Sequence, residues 1–254
     1  MGYSSRSYAR PYIGLPGLPR GIKWLLIVNI GIFLLQWATG GSTFGRIFNY
    51  LALVPVDVVT HFAIWQLVTY MFLHGGISHI LWNMLTLWMF GSTLEQALGT
   101  RRFMQLYFFS GIGAGICIVL LNYLFGGAAI PTIGSSGAIF GVMLVCAMMW
   151  PDQIVLFSFL FPIKLKYMVM IIGGIAFIGA WNINSGVSNI GHLGGMAFGY
   201  LFMKLPQFTT GRRTTSRRFS PIRSVSDSYK AWKLARAKKK FQVYLKKQRS
   251  DHIN

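Results

Sequence analysis

Charged residues, and acidic ones above all, are scarce in this sequence. Asp, Glu, Lys and Arg make up 11% of its 254 residues, and only five residues are acidic. Soluble domains usually carry about a quarter charged residues. With 54% hydrophobic residues and a mean hydropathy of +0.51, the composition excludes an ordinary soluble domain. It predicts a polytopic membrane protein with one membrane domain and short tails.

Cysteine is almost missing as well. Cys117 and Cys146 both lie inside apolar runs, where a thiol usually packs as a small hydrophobic side chain. The sequence therefore predicts neither a disulfide nor a cysteine metal site. No motif implies a metal or an organic cofactor, and we expect none.

Apolar runs predict an all-α fold of six transmembrane helices, each near the length that crosses about 30 Å of hydrocarbon. The runs are 23–39, 77–98, 103–125, 136–150, 167–181 and 191–205. The fourth is short, so we expect it to begin below the outer surface of the membrane. The runs define a membrane domain at 23–206, between an N-terminal tail (1–22) and a basic C-terminal tail (207–254).

The distribution of positive charge predicts the orientation. Of 24 Lys and Arg residues, 15 lie at 204–254 and four lie in the first 23 positions. Two connections carry Arg101, Arg102, Lys164 and Lys166, whereas the connections 124–135 and 182–190 carry no cation. Because cationic segments stay on the cytoplasmic side, we expect both termini in the cytoplasm and a multi-pass protein of the cell inner (plasma) membrane. The aromatic-rich connection 40–76 is predicted to be partly embedded in the membrane.

Two glycine-flanked motifs carry the candidate chemistry. They are Gly134-Ser135-Ser136-Gly137 and Gly191-His192-Leu193-Gly194-Gly195. A hydroxyl and an imidazole are what a serine nucleophile and its base require. Ser136 lies 14 residues before Trp150, and His192 lies 14 residues before Pro206. Both side chains are therefore predicted at matching depth, about 21 Å from the inner end of their spans.

Small residues would let these two spans approach each other closely. They are Gly137 and Gly141 on the fourth span, with Gly191, Gly195 and Gly199 on the sixth. Phe140, one turn after Ser136, could then pack against the His192 ring. Simpler interpretations stay open, because membrane serines commonly bond their own backbone and small residues often only pack. Ionisable residues within spans are rare and usually functional, which favours a role for His192.

The second span adds His79 and Asn83, which lie on one helix face because they are four residues apart. With the Ser136 amide, these side chains could donate hydrogen bonds to a developing oxyanion. The alternative is a polar pair that joins the second span to a neighbouring helix. His74 lies five residues earlier, in the preceding loop.

A third catalytic group, a carboxylate, is difficult to find. The five acids are Asp57, Glu95, Asp152, Asp227 and Asp251. Asp57 lies in the predicted outer loop, and the others lie at the cytoplasmic side. The sequence therefore favours a Ser–His dyad over a triad.

At this point the sequence resembles the rhomboid intramembrane serine proteases over residues 20 to 206. The elements that carry the resemblance are 65–74 (WQLVTYMFLH), His79-x-x-x-Asn83, Glu95 and the Ser136 and His192 motifs. The resemblance implies a six-helix fold, Ser136 as nucleophile, His192 as general base, and His79 with Asn83 as oxyanion donors. It also implies a lateral gate at 167–181 and a cap at 182–190.

The chain departs from the family pattern at two positions. It has Trp65-Gln66 where Trp-Arg is frequent, which puts a loop-anchoring arginine contact in doubt. It has Phe140 where some members have tyrosine, and phenylalanine should keep the ring packing without the hydroxyl.

The leading hypothesis is an intramembrane endopeptidase that cleaves single-span membrane proteins near the outer leaflet. A catalytically silent relative that escorts membrane clients is the first rival, and a transporter with His79 and His192 in a proton relay is the second. The basic tail, with aromatic residues among its lysines, favours binding to the anionic lipids of the bilayer. Its alternative is a tail that only fixes topology. Nucleic acid is not expected as a partner, since no recognition motif accompanies the charge.

Overall fold

The structure, a computed structural model, describes residues 18–40, 45–157, 161–180 and 188–205. Its helices are α1 (Arg20–Thr39), α2 (Ile47–Leu51), α3 (Pro55–Thr60), α4 (Gln66–Thr69), α5 (Ile77–Thr86), α6 (Ser92–Leu98), α7 (Thr100–Phe125), α8 (Ser136–Met149), α9 (Leu165–Gly179) and α10 (Asn189–Lys204). A 3₁₀ turn covers Tyr70–Phe72, and strands β1 (Ile154–Phe157) and β2 (Phe161–Lys164) form a hairpin. The predicted C-terminal tail, the cap and most of the N-terminal tail lie outside the described residues.

Each of the six apolar runs is helical, with bounds within three residues of the predicted ones. Within the described residues, α1 and α7 are long and apolar enough to cross a membrane by themselves. Helices α8 and α9 are apolar but shorter. At 1.5 Å per residue the 14 residues of α8 extend about 21 Å. The count of six membrane crossings therefore stays a prediction.

The second run is helical throughout but changes its winding in the middle. A π turn at Leu87–Gly91 joins α5 to α6. Asn83 and Glu95 are 12 residues apart (95 − 83), which in an uninterrupted α-helix would turn them about 120° from each other. A π turn adds one residue to the winding and removes about 100° of that angle. Asn83 and Glu95 therefore lie close to the same face, and both are buried.

Glu95 uses this position to cap another helix. Its carboxylate accepts hydrogen bonds from the backbone amides of Gly21 and Ile22, both at 2.8 Å, and from the Thr100 hydroxyl at 2.6 Å. The first amides of an α-helix have no acceptor within the helix, and Pro19 at the N-cap of α1 supplies no side-chain bond. Negative charge is also favourable at a helix N-terminus. One buried side chain thus joins α1, α6 and α7.

Replacing Glu95 by glutamine is expected to destabilise the protein by about 1–3 kcal/mol, the usual penalty for a buried donor left without its acceptor. Glutamine keeps one acceptor oxygen and replaces the other by an NH₂ group. That group would face a backbone N–H of α1 or the Thr100 hydroxyl, and it cannot accept their hydrogen bonds. Thermal unfolding in detergent micelles measures the change. Thr100→Ser keeps its hydroxyl and serves as the control; equal melting temperatures for Glu95→Gln and the parent would contradict the capping role.

The expectation of an all-α chain is wrong at Ile154–Phe157 and Phe161–Lys164. There β1 and β2 pair antiparallel, with Ile154 opposite Lys164 and Val155 opposite Ile163. Pro151 stops the preceding helix, and β-branched residues suit the pleated strand that follows. Each strand has only four residues. An alternation of apolar and polar residues cannot be recognised over so short a segment next to a long apolar run, so the sequence does not predict these strands. Lys164 at the end of β2 and Lys166 in the first turn of α9 donate to the Asp152 carboxylate at 3.1 and 3.0 Å.

The core is formed where α10 packs against α7 and α8. Glycines allow the contact between α8 and α10. A Cβ on Gly195 would collide with the carbonyl oxygen of Gly137, and one on Gly199 would lie 2.8 Å from the carbonyl oxygen of Gly141. The two glycine faces predicted from the sequence therefore meet, and side chains at the start of α8 and α10 lie next to each other.

The connection 40–76 contains α2, α3, α4 and the 3₁₀ turn, and Gln66 joins its parts. The Gln66 side chain is buried. Its Oε1 accepts from the Val54 amide at 2.9 Å, and its Nε2 donates to the Tyr50 carbonyl at 3.3 Å. Trp65 Nε1 donates to the same carbonyl at 3.0 Å. Glutamine therefore anchors this loop at the position where an arginine contact was in doubt.

Candidate active site

Ser136 and His192 are brought together across 56 positions of sequence. Ser136 Oγ and His192 Nε2 lie 2.9 Å apart. Ser136 is the first residue of α8, and His192 lies in the first turn of α10, whose N-cap Ser188 accepts from the Gly191 amide at 3.3 Å. The separation is within the range for a hydrogen bond between a nucleophile and its base. If His192 Nδ1 carries the ring proton, the serine hydroxyl donates to Nε2.

The His192 ring is held by Phe140. The two rings are stacked, with centroids 4.0 Å apart and planes 7° from parallel. Phe140 lies one helical turn after Ser136, so one short segment of α8 supplies both the hydroxyl and the surface on which the imidazole rests. This is the packing that the four-residue spacing predicted.

If the Ser136–His192 pair cleaves peptide bonds, replacing Phe140 by alanine is expected to lower kcat about three- to tenfold, because aromatic pairs contribute about 0.5–1.5 kcal/mol beyond burial. Phe140→Tyr keeps the ring and is the matched control. Initial rates on a membrane reporter, at substrate concentrations that separate kcat from KM, measure the effect. An alanine variant with the parent's kcat would show that the stacked ring does not hold the imidazole.

His79, Asn83 and Gly134 lie together, with Gly134 two residues before Ser136 in the loop that leads into α8. Gly134 has φ +119°, a conformation that favours glycine. A Cβ placed on it would be 2.8 Å from His79 Nε2 and 3.7 Å from Asn83 Nδ2. The loop 134–135 thus passes close to both side chains, and its path is fixed by the Gly134 amide, which donates to the Tyr70 carbonyl at 2.8 Å.

Two of these groups are hydrogen-bond donors available to an anion. The Gly75 amide donates to His79 Nδ1 at 3.4 Å, a long contact that favours the neutral tautomer with its proton on Nε2, the atom next to Gly134. Asn83 Nδ2 is buried and has no acceptor among the described residues. Buried polar groups are normally bonded. A donor left in this state near a serine hydroxyl that contacts an imidazole fits an oxyanion site.

Comparison with known proteins identifies the family of this chain. A family model described as the Rhomboid domain matches residues 61–205, more than half of the chain. This chain belongs to the rhomboid family. Rhomboid proteins are membrane-embedded and are generally intramembrane serine proteases.

Individual rhomboid relatives align over part of their length. RHOMBOID-like protein 1 of Arabidopsis thaliana is 36% identical over 160 residues, which cover 61% of this chain and 39% of that protein. Rhomboid protease GluP of Bacillus subtilis (strain 168) is 30% identical over 184 residues, 72% of this chain and 34% of GluP. RHOMBOID-like protein 6, mitochondrial, of Arabidopsis thaliana is 33% identical over 150 residues, 56% of this chain and 45% of that protein. The chain spans less than half the length of each of these three.

The neighbouring Ser135 is distinct from Ser136 in this rhomboid domain. Its Oγ is fully buried, has no hydrogen-bond partner of good geometry among the described residues, and faces the side chain of Tyr107. It also contributes no cap to α8. The two serines of the motif therefore point to different surroundings, and only Ser136 contacts the imidazole.

The carboxylates described by the structure are all engaged elsewhere. Asp57 pairs with His61 at 3.4 Å, Glu95 caps α1, and Asp152 pairs with two lysines. Within the described residues, no three His, Cys, Asp or Glu side chains cluster in a way that could hold a metal ion. The described site is thus a pair of side chains with nearby amide and imidazole donors.

Two residues near the site were given no role from the sequence. Tyr70 is buried, and its hydroxyl donates to the Gly111 carbonyl at 2.7 Å while its own carbonyl holds Gly134. His74 was noted only for its place in a loop, yet its ring lies against His79. The four-residue spacing of His79 and Asn83 on one helix is visible in the sequence. Contacts made through the loop backbone, such as those of Tyr70 and His74, leave no comparable pattern.

Proposed function

We propose that this chain is an intramembrane serine endopeptidase with Ser136 as nucleophile and His192 as general base. The observation that carries the proposal is the 2.9 Å separation of Ser136 Oγ and His192 Nε2 at the first turns of two packed helices. Membership of a family whose members are generally proteases of this class supports it.

The proposed reaction proceeds in two steps. His192 Nε2 takes the hydroxyl proton as Ser136 Oγ bonds to the carbonyl carbon of the scissile peptide. When the C–N bond breaks, the imidazolium gives that proton to the leaving amine, and an acyl-enzyme remains. Water, deprotonated by the same imidazole, then attacks the ester; the product acid leaves, and the proton returns to Ser136.

Charge on the carbonyl oxygen would be stabilised by three donors. His79 Nε2–H and the buried Asn83 amide supply two of them, and the backbone amide of Ser136, at the start of α8, supplies the third. Removing a single donor of this type commonly lowers kcat about 100- to 1,000-fold. The site needs no metal for this chemistry, since neutral donors in a protein interior are effective in place of a cation.

The proposed substrates are single-span membrane proteins, cut near the outer leaflet at segments that unwind easily. An intact helix shields its own amides, so a bond can be attacked only after local unwinding.

We further propose six crossings, both termini in the cytoplasm and a site reached from the outer side of the plasma membrane. Contact of the basic tail with anionic lipids belongs to the same proposal; the tail lies outside the described residues.

A fluorophosphonate probe tests the function directly. We expect the purified chain, folded in detergent or lipid, to form a covalent adduct that mass spectrometry assigns to Ser136, and to cleave a single-span reporter until the probe is added. A folded preparation that neither reacts nor cleaves several reporters would contradict the proposal and favour the escort function. Transport activity that persists after labelling would favour the transporter instead.

A further inference from the structure

His74 is a buried side chain next to the proposed oxyanion site that has no part in the chemistry above. It follows the 3₁₀ turn at Tyr70–Phe72, three residues before α5, and is 3% exposed. Neither ring nitrogen has a hydrogen-bond partner of good geometry among the described residues, although the Phe72 carbonyl lies beside the ring. Burial lowers the pKa of His74 to about 4, and His79 adds to the shift, so the ring is neutral at pH 7.

His74 and the residue that follows it both contact the ring of His79. The His74 and His79 rings meet edge to face, with centroids 5.1 Å apart and planes 68° from each other. The residue after His74, Gly75, donates its amide to His79 Nδ1 at 3.4 Å. That bond is long and weak by itself. The orientation of the His79 ring therefore depends on segment 74–75, through one long hydrogen bond and one ring contact.

The segment has its own anchor on the first helix. The His74 amide donates to Gln36 Oε1, on α1, at 3.1 Å. Segment 74–75 is therefore held in two ways, by this hydrogen bond and by the packing of the buried His74 ring. A rotation of His79 would have to displace a buried ring whose backbone is bonded to a separate helix, so the ring contact restricts the direction of His79 Nε2.

We propose that His74 is a positioning residue, whose ring edge contact holds His79 with its Nε2 directed toward the Gly134 loop. The inference rests on the proposed function, since it assigns His74 an effect only through the oxyanion donor His79. It assigns the effect to the shape of the ring rather than to its nitrogens, because the nitrogens make no hydrogen bond of good geometry to any residue that the structure describes.

A double-mutant cycle tests this. The variants are His74→Ala, His74→Phe, His79→Ala and His74→Ala/His79→Ala, each measured for kcat and KM on a membrane reporter and for melting temperature. We expect His74→Ala to lower kcat about 10- to 100-fold, the scale of a 1 Å misplacement, with KM little changed. In the His79→Ala background the same substitution should change kcat less than about threefold, since there is no donor left to position.

The conservative variant separates shape from polarity. His74→Phe keeps an aromatic ring for the edge contact and should retain most of the parent's kcat, with an equal or higher melting temperature. Equal losses from His74→Ala in both backgrounds would overturn the proposal, as would an unchanged kcat in His74→Ala or a Phe variant as slow as the Ala variant. These results are distinguishable from failure of the proposed function, in which the parent itself shows no Ser136-dependent cleavage.

Discussion

Replacing Ser136 by alanine is expected to lower kcat at least about 10,000-fold, the scale seen when a nucleophile of a serine protease is removed. Ser136 Oγ is the oxygen 2.9 Å from the His192 imidazole, and no other hydroxyl in the described residues makes that contact. The adjacent Ser135 is the matched control, since Ser135→Ala removes the same atom one position away. Reporter cleavage by purified variants in lipid vesicles measures both.

We expect Ser135→Ala to cleave at about the parent's rate. Its hydroxyl is buried, has no hydrogen bond of good geometry within the part of the chain that the structure describes, and gives α8 no side-chain cap, so its loss breaks no well-formed hydrogen bond there. Two outcomes would count against this assignment: cleavage that persists in Ser136→Ala, which points to another nucleophile or a contaminant, and a Ser135→Ala variant that is folded but as inactive as Ser136→Ala.

The parts of the site that the sequence revealed depend on local patterns. Ser136 and Phe140 are one helical turn apart, and glycines recur every four residues on α8 and α10. A single helix–helix contact then brings His192 to both side chains. The relation is visible in the sequence because each helix keeps its period and the contact needs only small residues in register.

Other parts depend on backbone groups that no side-chain pattern encodes. The amide of Gly75 favours one tautomer of His79, and the carbonyl of Tyr70 holds the path of Gly134. The hairpin at 154–164 is hidden because its strands are short and apolar. The π turn at Leu87–Gly91 is equally hidden, since apolar residues would fit either winding. In each case the deciding interaction is a hydrogen bond of the main chain, which is common to all residue types.

Replacing Gly195 by alanine is expected to separate α10 from α8 and to abolish both the Ser–His contact and cleavage. The new methyl group would collide with the Gly137 carbonyl oxygen, a main-chain atom that cannot move without shifting α8. Overpacking against mobile side chains costs about 1–3 kcal/mol, and a collision with backbone should exceed it. We expect a melting temperature well below the parent's, together with loss of fluorophosphonate labelling at Ser136.

The matched control is Gly174→Ala on α9, where an added Cβ would meet no atom of the described residues within 4 Å. Alanine has a higher helix propensity than glycine by about 1 kcal/mol, so this variant should be as stable as the parent or more so. Both variants add one methyl group to a helix of the same protein. A difference between them therefore measures the effect of the close contact between Gly195 and Gly137. If Gly195→Ala kept the parent's melting temperature and labelling rate, close approach of α8 and α10 would not be what holds Ser136 against His192, and the pair would have to be maintained by the loops that precede the two helices.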